Sequence, residues 1–127
     1  MKLTPLNSPH APQPAGGYAQ AFRVEGAARL LFISGQIPEG ADGSVPAGFE
    51  AQAEQVWRNV LAQLQVAGLS VQHLVKVTTF LSSRDHALAN REVRQRVLGR
   101  HAPALTVIIT GIFDERWLLE IEAIAAA

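Results

Sequence analysis

Glu120 and Glu122 are the only charges in the run Trp117 to Ala127, WLLEIEAIAAA. An ionised carboxylate in apolar surroundings costs several kcal/mol unless it is paired or hydrogen-bonded. Such a group marks either a structural ion pair or a functional site. Two residues apart on a strand, the two carboxylates share one sheet face, about 6–7 Å apart by strand rise. Two carboxylates can divide acid and base work at a glycosidic bond, but glycosidase carboxylates flank a cleft, whereas these lie side by side. An ion pair to Lys76 or to an arginine is the structural alternative.

Other chemistry has less support. His10, His73, His86 and His101 lack metal-ligand spacing. Ser34 stands in Ser-Gly-Gln, not in a GxSxG elbow. No GxGxxG or GKS/GKT loop offers a phosphate cradle. Arg84, Arg91, Arg94, Arg96 and Arg100 are interspersed with Asp85 and Glu92, the pattern of a solvated helix face rather than an RNA groove. The absence of cysteine rules out thiolate chemistry and disulfides. A net charge of zero argues against a dedicated nucleic-acid binder.

The elements that must position these residues fit one domain of 127 residues. Residues 1–17 hold Pro5, Pro9, Pro12 and Pro14 and are expected to run extended over the surface. No signal-peptide core and no apolar run of membrane-spanning length occurs, so a soluble cytoplasmic protein is expected, with no membrane partner. Tyr18–Glu25 and Arg29–Ser34, around Gly26, read as a hairpin. Residues 35–48 read as a loop. Phe49, Ala53, Val56, Trp57, Val60, Leu61 and Leu64 mark one face of a helix ending at Gly68, with Glu54 and Arg58 as an i,i+4 pair. Leu74–Leu81 reads as a strand, Asp85–Leu98 as a second helix, and Ala104–Thr110 and Trp117–Ala125 as strands. Two helices on one face of a mixed sheet give an α+β fold. The strands are apolar at both alternations, so the sheet needs a second cover. Another copy of the chain is the expected one.

Ile33-Ser34-Gly35-Gln36-Ile37-Pro38, Val75-Lys76-Val77-Thr78-Thr79-Phe80-Leu81, Asn90, Pro103-Ala104 and Glu120-Ile121-Glu122-Ala123-Ile124-Ala125 follow one another at telling spacing. From Tyr18 to Ala125 the chain resembles the RidA/YjgF family, once labelled L-PSP endoribonucleases. The resemblance implies a chorismate-mutase-like α+β fold in a homotrimer, with the sheets lining a central barrel and active sites in clefts between subunits. It implies hydrolysis of small reactive imines or enamines to 2-keto acids and ammonia, without a cofactor. The family glutamate that positions the attacking water matches Glu120. The pocket-shaping residues match Tyr18, Ser34, Gly35, Gln36 and Asn90. The positions after Pro-Ala are Leu105, Thr106 and Val107.

At Leu105 the chain departs from that pattern. Family deaminases place there an arginine that pairs with the substrate carboxylate. Leucine offers neither charge nor donor, and a charge-assisted hydrogen bond contributes about 1.5–3 kcal/mol. Loss of about 3 kcal/mol is more than a hundredfold in transition-state binding. Substrates of the 2-iminobutyrate type should therefore bind poorly unless Arg23, Arg29, Lys76 or Arg116 replaces the missing cation. The readings are a small-molecule hydrolase or deaminase first, a non-catalytic ligand-binding trimer second, and an endoribonuclease last.

Overall fold

The computed structural model describes residues 1–127. Strands β1 (Lys2–Leu6) and β2 (Ala21–Glu25) form an antiparallel ribbon. Strands β3 (Leu30–Gln36), β4 (Leu74–Leu81), β5 (Ala104–Ile109) and β6 (Leu119–Ala126) form the main sheet in the order β3-β6-β4-β5. Helices α1 (Phe49–Val66) and α2 (Ala87–Leu98) cover one face of it. The β4–β5 pair is parallel, and α2 makes the crossover that a parallel pair needs. The other pairings are antiparallel, so the sheet is mixed, as expected.

Helix α1 forms where the apolar period demands it: Phe49, Ala53, Val56, Trp57, Val60 and Leu64 are buried on one face, whereas Leu61, expected among them, lies at its margin and is exposed. It stops in a Schellman motif. Gly68, at φ 73°, donates to the Gln65 carbonyl, and Leu69 donates to that of Leu64. Arg96 of α2 bonds Glu50 and Glu54 of α1 at 2.9 and 3.5 Å. Glu54 is thus taken across the helix pair, and the expected partner Arg58 bonds Gln55 instead, at 2.9 Å.

The N-terminal half of the pairing differs from expectation. The strands flanking Gly26 do not form a hairpin, because β2 pairs with β1 and β3 pairs with β6. Ala28 and Arg29 both donate to the Ala127 carbonyl, at 2.9 and 2.8 Å, which commits this stretch to the end of β6. The N-terminal segment is extended, but its first residues are a strand. A two-stranded ribbon leaves outward-facing backbone groups, and that setting tolerates Pro5.

The two sheet faces differ sharply. Val77, Thr79, Leu81, Leu119, Ile121 and Ala123 are buried under the helices. On the other face stand Phe32, Phe80, Ile108, Ile124, Glu120 and Glu122, with no element of the chain over them. Phe32 is 70% exposed there and Ile108 41%.

Gln52 ties the helix layer to the loops beside the sheet. It is 3% exposed, donates to Pro46 and Arg116 carbonyls at 3.1 and 2.9 Å, and accepts from Leu118 N–H at 2.8 Å. Leucine is close in size but leaves three backbone groups unpaired. Gln52→Leu is expected to lower unfolding stability by about 2–4 kcal/mol, read by urea titration.

Candidate functional site

Glu120 sits in a seat made by a bulge. Ile33 pairs with Ala123 and Gln36 with Ile121, so Ser34 and Gly35 together oppose Glu122. A Cβ on Gly35 would lie 2.8 Å from Glu120 Cδ and closer still to its carboxylate oxygen. Only a glycine lets the carboxylate rest there. Gln36 braces the bulge by donating to the Ser34 carbonyl at 2.9 Å, and it lines a separate hollow with Ile37, Glu39 and Asn59.

Glu120 and Glu122 do share one sheet face, as strand alternation requires. The ion pairs of the chain are Arg23–Glu25, Arg96 with Glu50 and Glu54, and Arg116–Asp114. Neither strand glutamate belongs to one within the chain. Lys76 donates instead to Thr106 Oγ1 at 2.7 Å, and Glu122 lines a shallow hollow with Lys76, Ser34 and Thr78.

Tyr18, Asn90, Leu105 and Val107 converge elsewhere, in a pocket of about 220 Å³ between α2 and β5. Ala19 N–H donates to the Pro103 carbonyl at 3.0 Å, which docks Tyr18 at the start of β5. Asn90 enters from α2 and is 3% exposed. Leu105 pairs with Val77 and Val107 with Thr79, so both point to the helix side of the sheet. Thr106 pairs with Thr78 and Phe80 with Glu120, on the opposite side. Within one chain, Glu120 and the Tyr18–Asn90–Leu105 pocket therefore lie on opposite faces of the sheet.

None of the four expected substitutes for the missing arginine lines this pocket. Arg23 and Arg116 are paired with Glu25 and Asp114, and Lys76 is on the other face. Arg29 sits just before β3, tied by its backbone to Ala127. The cations that do line the pocket are Arg91 and Arg94. Arg94 is only 4% exposed, which corrects the reading of the α2 arginines as one solvated face. The available signal was spacing: Arg94 follows Asn90 by one helical turn.

The histidines have structural neighbours. His73 completes a capping box with Ser70, His86 stacks on Phe49, and His101 bonds the Leu74 carbonyl at 2.6 Å. No helix is long and apolar enough to cross a membrane.

The family model described as Endoribonuclease L-PSP matches residues 8–127. A RutC family protein of Pyrococcus horikoshii is 36% identical over 118 residues, 91% of each chain. The crystal structure of a conserved Rid family protein of unknown function, YyfB from Yersinia pestis, superposes with a TM-score of 0.86 at 25% identity, covering 100% of both chains. That of Escherichia coli TdcF with bound serine superposes with a TM-score of 0.73 at 31% identity over 98% of each chain. The matched residues include the Ser34–Gly35 bulge, the Asn90 helix and the Glu120 strand, and the chain belongs to the L-PSP endoribonuclease family, also called RidA/YjgF.

Proposed function

We propose that this protein is a cofactor-free hydrolase of small reactive imines or enamines, working in clefts between copies of the chain in a homotrimer. The observation that carries the proposal is the seat of Glu120. Its carboxylate is free of ion pairs and held against the Gly35 bulge on an open sheet face. There it orients a water molecule and accepts its proton as the oxygen attacks the C=N carbon. The resulting carbinolamine expels ammonia and leaves the carbonyl compound, so one water is consumed and no redox partner is needed. Tyr18, Asn90, Leu105 and Val107 shape the pocket for the rest of the substrate, with Ser34 and Gly35 beside the water and Gln36 bracing them. Thr106 holds Lys76 on the far side of β5.

The division of these residues between two sheet faces supports a site completed by a neighbouring copy. So does the uncovered apolar surface at Phe32, Phe80, Ile108 and Ile124, which a second sheet would bury. Serine bound to the related TdcF supports a ligand of amino-acid size.

The test generates 2-aminoacrylate with a dehydratase and follows ammonia release with and without the protein, alongside light scattering. The expected result is acceleration by a trimer, lost by at least a hundredfold in Glu120→Gln. A monomer, or no acceleration at micromolar protein, would overturn the proposal. The second reading, a ligand-binding trimer without catalysis, is favoured by Leu105 and is the outcome if a trimer forms and ammonia release is unchanged.

A further inference from the structure

Arg94 is a buried cation without an anion. It is 4% exposed, and its Nη2 donates to the Gly16 carbonyl at 2.6 Å. Its Nε is fully buried and has no hydrogen-bond partner. No carboxylate of the chain pairs with it or with its neighbour Arg91. A buried guanidinium left this way is expensive unless something outside the chain completes it. Burial first, and then the positive charge of Arg91, push Arg94 below the usual guanidinium range, while Tyr18 acts in the opposite sense.

The surroundings hold this arrangement in place. Gly16 and Gly17, at φ 106° and 80°, fold the N-terminal segment over α2. A Cβ on Gly16 would lie 2.9 Å from Arg91 Nε, so the backbone lies directly on that guanidinium. Both arginines line the pocket of Tyr18, Asn90, Leu105 and Val107. The apolar floor comes from β5 and the positive charge from α2. That combination suits a small molecule with one anionic end and a short apolar body.

We propose that Arg94, with Arg91 at its side, is the carboxylate-binding group of this pocket, and that it takes a small monocarboxylate with a short apolar body. The cation missing from position 105 is thus supplied from the helix across the pocket. The charge is similar, but it approaches from α2 instead of β5, so the ligand's carboxylate is held toward the helix layer. This inference rests on the reading above only in its coarser part, a small-molecule pocket at this place.

The probes are pyruvate and its uncharged methyl ester, added to the full-length protein. Binding is followed by calorimetry and by the arginine Nε–H resonances. Pyruvate is expected to shift the Arg94 Nε–H signal, and the ester to bind at least tenfold more weakly. Arg91→Met is expected to weaken pyruvate at least threefold, and Arg94→Lys at least tenfold. If Arg94→Lys does not fold, Arg91→Met and the wild-type resonances decide. Equal binding of acid and ester, or an Arg94 signal unmoved by saturating pyruvate, overturns the inference. Arginine-dependent pyruvate binding without ammonia release from imines keeps this inference and removes the hydrolase. Ammonia release with no pyruvate effect on Arg94 does the reverse.

Discussion

Gly35→Ala is expected to lower kcat/KM for imine hydrolysis by about a hundredfold while leaving the fold nearly as stable as the parent. The reason is what the new methyl group would meet. Gly35 does not occupy the left-handed region, so alanine is free of backbone strain there. Its Cβ would strike the carboxylate end of Glu120, with Cδ at 2.8 Å. That end is the flexible tip of a half-buried side chain on an uncovered face, so it swings aside instead of breaking the sheet. Moving a positioned catalytic group by about 1 Å can cost about a hundredfold. A purely structural Glu120 gives the opposite result, with activity kept. The decisive measurement is kcat/KM beside the urea midpoint for Gly35→Ala and Glu120→Gln. Similar losses at similar stability identify one shared function.

Why this seat was only half legible in the sequence follows from how bulges arise. The alternation of Leu119, Ile121 and Ala123 against Glu120 and Glu122 was plain, because a strand's period is local. Likewise the face of Phe49, Ala53, Val56, Trp57, Val60 and Leu64 fixed α1 at both ends within a residue or so. The bulge is a matter of register between β3 and β6, strands more than eighty residues apart, and no local pattern records it. The pairing of β2 is hidden for a similar reason. Adjacent apolar runs around Gly26 suggested each other, while the true partner, Lys2–Leu6, was disguised by Pro5.

Arg94 was hidden differently. Helix α2 carries Arg91, Arg94 and Arg96 within twelve residues, so its composition reads as solvent-facing. Its burial comes from the Gly16–Gly17 turn folded over it, a tertiary contact 78 residues distant in sequence. The departure at Leu105, by contrast, was visible at once from the residues following Pro103-Ala104. What could not be read was that the same pocket already held two guanidinium groups. That changes the expected outcome of restoring the family arginine.

Leu105→Arg is expected to destabilise the protein by about 2–4 kcal/mol and not to raise hydrolysis of carboxylate substrates above that of the parent. Leu105 packs partly buried against the helix-side core, and replacing it forfeits part of the about 1.5–3 kcal/mol that full burial of a leucine contributes. The new guanidinium would also share a pocket of about 220 Å³ with Arg91 and Arg94. At about 4 Å, two like charges near a protein surface repel by up to about 4 kcal/mol. A double-mutant cycle separates the two costs. Arg94→Met in the parent removes a buried cation and leaves the Gly16 carbonyl without its partner. In the Leu105→Arg background the same change also relieves repulsion, so the pair should be more stable than the sum of singles by about 1–3 kcal/mol. Additive effects would mean that Leu105 and Arg94 do not face one another. If the coupling is favourable, one cation is enough for the pocket: leucine at 105 goes with arginine at 94, and arginine at 105 requires position 94 to be neutral.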